Sequence, residues 1–441
     1  MAKFLVRGGK LLEGGIAVSG SKNASLPALA ASLLFSGTPV FQNLPEIEDI
    51  KRMKELLENI KGGQLNYEIA KKIRASILVV GPALARFGRS SFPHPGGCVI
   101  GAPASPTSLG GRPIDVFLDG WRAMGAEISL RSSTSDVKSP KTSDVFPRSE
   151  IVHSIPAYAI SAPRGLRGCD FTFRVPSVTG TEGLMMTAVL ANGQTILRNA
   201  AQEPEIMSLA DWLNKNGAEI CGAGTHTITI EGRAGKPLSG KAPFFAPPDR
   251  IEAGSFAILG AAAAKEMTIK NFPAEELTAL LAVLKAAGAE FEITHNDHSL
   301  FPSITLKRAA KLRAVNIQTK EYPGFATDLQ APYVVLATQA EGASMIHETI
   351  FEGRLNYAED LNKMGARIIL CDPHRAIVQG PSNLTGWNLE GPDIRAGLAF
   401  LMAALIANGE SQIGNIYQID RGHEKIDERL RALGADIQRV K

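Results

Sequence analysis

The hydrophobic and polar positions of this 441-residue chain follow a long repeat. Each copy has a helix-like stretch of mixed polar and apolar residues that ends at a glycine, and a short strand-like stretch follows. A glycine between a helix and a strand is typical of a left-handed turn. A repeat of this length predicts stacked helix–strand units. The turn glycines of the six copies are Gly62, Gly125, Gly217, Gly288, Gly365 and Gly434.

Most copies also contain a second helix that is apolar almost all round, which predicts a helix buried on every side. The mixed helices, such as 274–287 and 424–433, should instead cover the surface. We therefore predict an α/β fold of six units, with buried helices inside and sheets outside. The predicted buried helices span 24–34, 184–191, 256–264, 331–337 and 396–407.

The chain is too long for one compact core, so we expect two domains of about three units each. The turn-rich stretch 242–249 is the predicted junction. Two segments break the repeat. The first unit is short and lacks a strand after Gln64, and the Ser-, Lys- and Pro-rich segment 129–165 predicts an insertion or surface loop.

The composition narrows the function classes. Hydrophobic residues make up 44% and charged residues 21% of the chain, as in ordinary soluble proteins. A net charge of +3 does not by itself indicate a nucleic-acid or membrane partner. The longest apolar run, 396–407, is too short to span a bilayer, and the N-terminus lacks the apolar core of a signal peptide. The scattered cysteines predict neither zinc nor disulfides, so we expect a cytoplasmic protein.

The first candidate for chemistry is the pair Lys22 and Asn23, which the pattern places at the start of a helix. Free backbone N–H groups and the helix dipole favour an anion there. The simpler interpretation is a capped helix with a solvated lysine. The stretch 15–22 reads G-x-x-x-x-G-S-K, in which a serine separates the second glycine from the lysine. No G-K-[ST] sequence follows, which argues against a P-loop ATPase.

Cys98 is the second candidate because it lies in the glycine-rich stretch 94–101. Convergence of Arg112 and Lys22 on it would favour the reactive thiolate. The alternative is that Cys98 is a small buried hydrophobe.

A third group lies at the starts of late helices: Asp328, Asp393, Arg395, Asp420 and Arg421. Aspartate there is an ordinary N-cap, but helix starts that carry cations would also build an anion site between two domains. The stretch 295–298, His-Asn-Asp-His, is interpreted as a turn rather than a metal site.

These motifs resemble a known family. V-S-G-S-K-N-A-S-L-P at 18–27, P-G-G-C-V-I-G at 95–101, D-R-I-E-A-G-S-F at 249–256 and Y-Q-I-D-R-G at 417–422 are similar to the UDP-N-acetylglucosamine 1-carboxyvinyltransferases. That family of enolpyruvyl transferases belongs to the EPSP synthase-like superfamily. The similarity covers nearly the whole chain, in order. The sister enzyme that makes enolpyruvylshikimate phosphate typically has S-K-S where this chain has Ser21-Lys22-Asn23.

The resemblance implies a two-domain inside-out α/β barrel with a cleft. The first domain would span 20–245, with the cysteine loop 94–112, and the second would comprise 1–19 plus 246–441. The implied reaction moves the enolpyruvyl group of phosphoenolpyruvate to the 3-hydroxyl of UDP-N-acetylglucosamine and releases phosphate, the first committed step of peptidoglycan synthesis. No cofactor or metal is implied.

The resemblance also implies residue roles. Cys98 would be the general acid and form a covalent adduct with phosphoenolpyruvate, and Asp328 would take the proton of the 3-hydroxyl; Lys22 and Arg421 complete the catalytic set. The implied phosphoenolpyruvate contacts are Lys22, Asn23, Arg112, Arg395 and Arg421. The implied nucleotide-sugar contacts are Arg74, Arg112, Pro113, Ile114, Asp115, Val116, Ser177, Val178, Thr179, Asp328 and Ile350.

The chain departs from the family pattern at three places. Arg112 lies farther from Cys98 than the family's arginine does, Phe117 replaces a usual histidine, and Ala326 replaces a usual proline. Two alternatives therefore stay open: an enolpyruvyl transferase with another nucleotide acceptor, and a non-catalytic regulator that binds nucleotide sugars.

Overall fold

The computed structural model describes residues 2–94, 114–131, 157–295, 299–309 and 311–440. Cys98, Arg112, Pro113 and most of the predicted insertion 129–165 lie outside the described residues. No helix in the described ranges is long and apolar enough to cross a membrane.

Four sheets share one design, in which an edge strand pairs in parallel and the other neighbours pair antiparallel. In spatial order, the strands of the first of these sheets are Asp170–Thr172, Gln194–Arg198, Thr227–Glu231 and Glu219–Cys221, and those of the second are Leu12–Ala17, Ala264–Lys270, Ser303–Lys307 and Glu290–Thr294. The strands of the third are Ile317–Gln318, Gly342–His347, Arg375–Gly380 and Ile368–Asp372. The strands of the fourth are Asn388–Glu390, Glu410–Gly414, Lys3–Arg7 and Asp436–Val440.

Two further sheets are reduced forms of this design. One has three antiparallel strands, Arg89–Pro93, Ala157–Ser161 and Glu127–Arg131. The other pairs only Phe41–Gln42 with Phe244–Phe245, in parallel. After Gly62 the chain makes isolated bridges at Gln64 and then enters a short helix, Tyr67–Ala70. The prediction that the first unit lacks a strand is thus confirmed within the described residues.

Within the described part of the chain, six inner helices are buried along most of their length. Five of them confirm the predicted buried helices. The six inner helices are Lys22–Ala31, Ser76–Phe87, Val178–Val189, Arg250–Ala263, Gln330–Ala337 and Ile394–Ile406.

The helix Ser76–Phe87 was missed from the predicted set. Its centre holds Gly81 and Pro82, residues that usually end helices. The structure shows why glycine fits, because a Cβ at Gly81 would lie 2.9 Å from the carbonyl oxygen of Gly183 on a neighbouring inner helix. The glycine therefore lets two buried helices approach closely.

Each unit also has an outer helix, and a predicted turn glycine follows each of them. All six glycines have positive φ, from 56° at Gly62 to 100° at Gly217, which confirms the left-handed turns. The predicted helix 274–287 begins as a 3-10 turn, Ala274–Leu277. The outer helices are Glu48–Glu58, Asp115–Ala123, Pro204–Lys215, Thr278–Ala286, Ala358–Lys363 and Ile426–Ala432; the remaining helices are Ser32–Leu34, Tyr417–Asp420 and Thr327–Leu329.

Buried apolar side chains form two separate cores. The first core takes its residues from Ala24 to Ala246. The second takes them from Phe4 to Val18 and from Ile251 to Ile437. The N-terminal strand Lys3–Arg7 pairs antiparallel with Glu410–Gly414 and Asp436–Val440, so both ends of the chain meet in one sheet of the second core.

A buried acidic cluster lies where the two cores meet. Arg250 donates from Nε to Glu205 Oε1 at 3.0 Å, and both side chains are almost fully buried. Burial raises the pKa of Glu182 well above its usual range and also raises that of Glu203. Burial, followed by repulsion from Glu205, raises the pKa of Glu276 to about 7. With a pKa of about 7, Glu276 carries a proton in about half of the molecules at neutral pH.

We expect Gly434→Ala to lower the free energy of unfolding by about 1–2 kcal/mol, because only glycine adopts its φ of +89° at no cost. No atom in the described part of the chain lies within 4 Å of an added Cβ, so a loss would be conformational. Gly37→Ala is the matched control, since Gly37 has equally open surroundings without a positive φ. Thermal unfolding midpoints check this; equal midpoints for both variants would contradict it.

We expect Glu276→Gln to make unfolding less dependent on pH. The pKa of Glu276 rises from 4.5 to about 7 on folding, so its stabilising contribution is full below pH 4.5 and is lost as the pH rises through 7. As the pH rises from 4.5 to 7, the glutamine variant should gain stability relative to wild type, and the gain should reach on the order of 2 kcal/mol at pH 8. Unfolding curves from pH 5 to 8 measure this, with exposed Glu275→Gln as the control. Parallel pH profiles of the unfolding free energy for wild type and Glu276→Gln would contradict the prediction.

Candidate functional site

The first element of the site is the start of the inner helix Lys22–Ala31. As the sequence predicts, Lys22 and Asn23 open this helix. Two of the first backbone N–H groups, which were expected to be free, are however hydrogen-bonded. Lys22 N donates to Asp249 Oδ2 at 3.1 Å, and Ala24 N donates to Ser21 Oγ at 3.2 Å. The capping groups occupy these two donors, so attraction for an anion depends mainly on the charged Lys22 side chain.

Asp49 joins the two cores by ion pairs. Its Oδ1 accepts from Arg421 Nε at 2.9 Å, and its Oδ2 lies 3.4 Å from Lys22 Nζ. Asp49 is buried in the first turn of Glu48–Glu58, a first-core helix, whereas Arg421 follows Tyr417–Asp420 beside the second core. Asp49 was not among the predicted site residues, because acids are common in a first helical turn, where they interact favourably with the helix dipole.

The Lys22 side chain is only 12% exposed and lies among other cations. Burial lowers the pKa of Lys22, Asp49 opposes this shift, and Arg395 and Arg421 reinforce it. An incoming anion would favour the charged form of the lysine. Because water is largely excluded, such attraction is stronger here than at the surface.

Asp328 forms the other carboxylate of the site. It lies in the 3-10 turn Thr327–Leu329, which leads into an inner helix. Its Oδ2 accepts from Arg395 Nη2 at 2.9 Å, and its Oδ1 accepts from Arg354 Nη2 at 2.7 Å. Arg354, at the end of the stretch F-E-G-R at 351–354, was not among the predicted site residues.

The structure thus brings Lys22, Asp328, Arg395 and Arg421 together from both cores. Four cations, those of Lys22, Arg354, Arg395 and Arg421, face the carboxylates of Asp49 and Asp328. The surplus of positive charge suits a small, highly charged anion.

The other aspartates of the late helices have local roles. Asp393 caps Ile394–Ile406, with Oδ1 accepting from Arg395 N at 2.7 Å. Asp420 forms a surface pair with Arg439 at 2.8 Å. The side chain of Asp393 is therefore described best as an N-cap, and that of Asp420 as part of a surface ion pair, rather than as site residues.

The predicted nucleotide-sugar residues lie mainly at helix starts of the first core. Ile114 precedes Asp115–Ala123, whose first turn carries Asp115 and Val116. Ser177 caps Val178–Val189, and its Oγ accepts from Gly180 N at 3.1 Å; Val178 and Thr179 follow it. Two further predicted positions are Arg74, just before Ser76–Phe87, and Ile350 on the second core. The backbone N of Ile350 donates to Glu348 Oε1 at 2.9 Å.

The departure at Phe117 has a packing explanation. Phe117 is 1% exposed, and its ring centroid lies 5.6 Å from that of Trp121. A Cβ at Gly183 would lie 2.7 Å from the Phe117 ring, so glycine leaves room for the ring. The aromatic ring fills the contact between two helices that carry predicted nucleotide-sugar residues.

Three predicted residues, Cys98, Arg112 and Pro113, lie outside the described residues, as do three of the four residues of 295–298. In the described ranges, no group of three or more His, Cys, Asp or Glu side chains could hold a metal ion. Cys169 there is partly buried, and Cys221 and Cys371 are exposed; all three are free thiols.

Comparisons with known proteins give consistent results. The family model for EPSP synthase (3-phosphoshikimate 1-carboxyvinyltransferase) matches residues 6–430. The chain is 38% identical to a protein of Desulforapulum autotrophicum and 40% identical to one of Solibacter usitatus, with 100% of each chain covered. It is 41% identical to a protein of Trichlorobacter lovleyi, covering 100% of this chain and 99% of that one. All three are named UDP-N-acetylglucosamine 1-carboxyvinyltransferase.

Solved structures share the fold. The enolpyruvyl transferase NikO of Streptomyces tendae superposes with a TM-score of 0.82 at 21% identity, covering 100% of this chain and 99% of that one. EPSP synthase of Acinetobacter baumannii superposes with a TM-score of 0.70 at 18% identity, with 100% of both chains covered. The prediction of an inside-out α/β fold is confirmed.

Proposed function

This chain belongs to the EPSP synthase family and, within it, to the UDP-N-acetylglucosamine 1-carboxyvinyltransferases, and we propose that it transfers the enolpyruvyl group of phosphoenolpyruvate to the 3-hydroxyl of UDP-N-acetylglucosamine, releasing phosphate. The identity of 38–41% over the whole chain supports this activity and acceptor. The observation that carries the chemistry is the convergence of Lys22, Arg395 and Arg421 beside Asp328.

The cations suit phosphoenolpyruvate, which carries a phosphate and a carboxylate. We infer that Lys22, Arg395 and Arg421 contact it, with Asn23 beside Lys22 and Arg112 completing the set. Guanidinium groups bind such anions through paired N–H donors. Because the cations are already in place, they can stabilise charge in the transition state with little reorganisation.

In the proposed reaction, Asp328 accepts the proton of the sugar 3-hydroxyl as the oxygen bonds to C2 of phosphoenolpyruvate. Cys98 donates a proton to C3, which yields a tetrahedral ketal that still carries the phosphate. Loss of a proton from C3 and departure of phosphate then give the enolpyruvyl ether. The covalent adduct implied by the family forms in a separate addition, in which the Cys98 sulfur bonds to C2 of phosphoenolpyruvate and C3 takes up a proton.

We propose that the two cores are two domains, 20–245 and 1–19 plus 246–441, with the nucleotide sugar between them. Arg74, Ser177 and the segment 112–116 would hold it from the first domain, and Asp328 and Ile350 from the second. The Asp49–Arg421 ion pair stabilises the closed arrangement, which excludes water from the reacting enol carbon. The corresponding cellular role is the first committed step of peptidoglycan synthesis, in the cytoplasm.

Phosphate release from phosphoenolpyruvate tests the proposal. We expect release that depends on UDP-N-acetylglucosamine, and a nucleotide product heavier by one enolpyruvyl group. Cys98→Ser should largely abolish turnover near neutral pH, and fosfomycin should alkylate Cys98 in the wild type. Cys221→Ser is the matched control, because Cys221 is an exposed free thiol on a different segment.

Other outcomes of this assay identify the alternatives. Release that depends on a different nucleotide in an acceptor panel would indicate another acceptor. Tight binding of the nucleotide sugar without release under any condition would indicate a binding protein. Full activity of Cys98→Ser would remove Cys98 from the mechanism.

We expect Lys22→Ala to raise the KM for phosphoenolpyruvate about 10- to 100-fold, because a charge-assisted hydrogen bond is lost. Binding of UDP-N-acetylglucosamine, measured by calorimetry, should change less than about threefold. The control Lys265→Ala removes a lysine from an exposed pair with Glu13 and should alter neither value. Equal losses for both substrates would assign Lys22 a structural role.

A further inference from the structure

The chain passes between the two cores twice, and the two crossing segments lie side by side. They are residues 19–23 and 247–250, each between the last apolar residue of one core and the first of the other. The segments pair antiparallel, and Asp249 N donates to Ser19 O at 2.9 Å. We call this pair of segments the crossing ribbon. The placement of one core relative to the other depends on how each end of the ribbon is held.

Asn43 fixes the first-core end of the crossing ribbon. Its Nδ2 donates to Ala246 O at 2.8 Å, and its carbonyl oxygen lies where a Cβ at Gly20 would clash. Lys22 follows directly, and its backbone N donates to Asp249 Oδ2 at 3.1 Å. The position of Lys22 therefore depends on the ribbon and on the group that holds the ribbon's other end.

Glu252 holds the second-core end of the crossing ribbon. This glutamate is only 3% exposed, and its Oε2 accepts from Ser19 N at 2.8 Å. Arg429 binds both carboxylate oxygens, with Nη1 at 2.7 Å from Oε1 and Nη2 at 3.0 Å from Oε2. The same Nη2 donates to Ala17 O at 2.5 Å. Glu252 and Arg429 thus clamp the backbone just before it enters the first core.

The clamp is charged and held from several sides. Burial alone would raise the pKa of Glu252, but His423 and Arg429 lower it to about 2, so the carboxylate is ionised at neutral pH. The guanidinium carbon of Arg429 lies 5.0 Å from the centroid of the Phe256 ring, on the same helix as Glu252. His423 Nδ1 lies 3.7 Å from Glu252 Oε1. Because His423 follows Arg421 by two residues, the clamp also borders the segment that carries this arginine.

We propose that Glu252 is a positioning residue that sets the place of Lys22 relative to the cations of the second core. Lys22 enters the site from the first core and Arg395 from the second. A shift at Ser19 passes along three residues to Lys22, so a loosened clamp would move the lysine away from the anion. This inference rests on the proposed function, because it assumes that Lys22 contacts phosphoenolpyruvate.

The test compares Glu252→Gln with wild type in the phosphate-release assay. The glutamine keeps the shape of the side chain but removes the charge that holds Arg429. We expect the KM for phosphoenolpyruvate to rise about 10-fold and kcat to fall about 10-fold, since a displacement of about 1 Å can cost up to about 100-fold. Binding of UDP-N-acetylglucosamine, measured by calorimetry, should change less than about threefold.

Asp427→Asn is the matched control for a loss of stability alone. Asp427 lies on the same outer helix as Arg429, is 5% exposed and accepts from Arg439 Nη2 at 2.9 Å. This variant also removes a buried carboxylate that pairs with an arginine, so both variants should lower the thermal unfolding midpoint. The KM and kcat of Asp427→Asn should stay within about twofold of wild type.

A second background separates positioning from a general weakening of the fold. In Lys22→Ala, the further change Glu252→Gln should raise the KM for phosphoenolpyruvate less than about threefold, since the group that it positions is already gone. A further rise of about 10-fold in that background would overturn the proposal. Equal effects of Glu252→Gln and Asp427→Asn on this KM would overturn it as well.

Should Glu252→Gln fail to fold by circular dichroism, Arg429→Lys takes its place in every comparison. A single ammonium group cannot reproduce the fork that joins Glu252 to Ala17 O, so the KM for phosphoenolpyruvate should again rise, by about threefold or more. A wild-type KM in this variant would overturn the positioning role.

Absence of turnover by the wild-type protein would instead contradict the proposed function. The clamp is then tested by calorimetry with inorganic phosphate as the probe. Glu252→Gln, or Arg429→Lys in its place, should weaken phosphate binding at least about threefold, and Asp427→Asn should leave it unchanged. Equal affinities of the clamp variant and wild type would overturn the positioning role.

Discussion

The site depends on keeping several like charges buried next to one another. Lys22, Arg395 and Arg421 lie close enough for the two arginines to lower the pKa of the lysine. Such a group is stable only when carboxylates balance it, because an unpaired buried charge costs several kcal/mol. Asp49 and Asp328 supply this balance. Since Asp49 comes from the first core and Asp328 from the second, the charge balance also holds the two cores together.

The position of these charges follows from the repeat. Inner helices of the two cores begin near the interface, at Lys22, Arg250 and Ile394. Capping side chains satisfy several of the first backbone N–H groups. Asp249 accepts from Ile251 N in its own helix and from Lys22 N in another, and Asp393 accepts from Arg395 N. The helix ends therefore place cationic side chains rather than act as anion sites themselves. Capping and anion recognition use different atoms, so neither weakens the other.

Much of the fold could be predicted from the sequence because glycine and apolar periodicity act locally. A helix that ends at Gly434 needs a positive φ whatever surrounds it, and an all-apolar stretch such as 396–407 must be buried. The helix Ser76–Phe87 was missed because Gly81 and Pro82 favour a break locally, while packing against Val178–Val189 favours the glycine. Tertiary contact decided that element, and a single sequence does not reveal such contacts.

Three cations of the site could be predicted from the sequence, but the residues that pair with them or with Asp328 could not. Lys22 and Arg395 stand at helix starts and Arg421 directly follows a short helix, all three in distinctive motifs. Asp49 and Arg354 lie in ordinary surroundings along the chain. Their importance arises only from pairing across long separations, as in the contact of Asp49 with Arg421. The buried acids Glu182, Glu203 and Glu276 were missed for the same reason, because burial raises their pKa values and burial is a property of the fold. Charges that carry out chemistry leave local signals, while those that hold them in place are defined by the assembled structure.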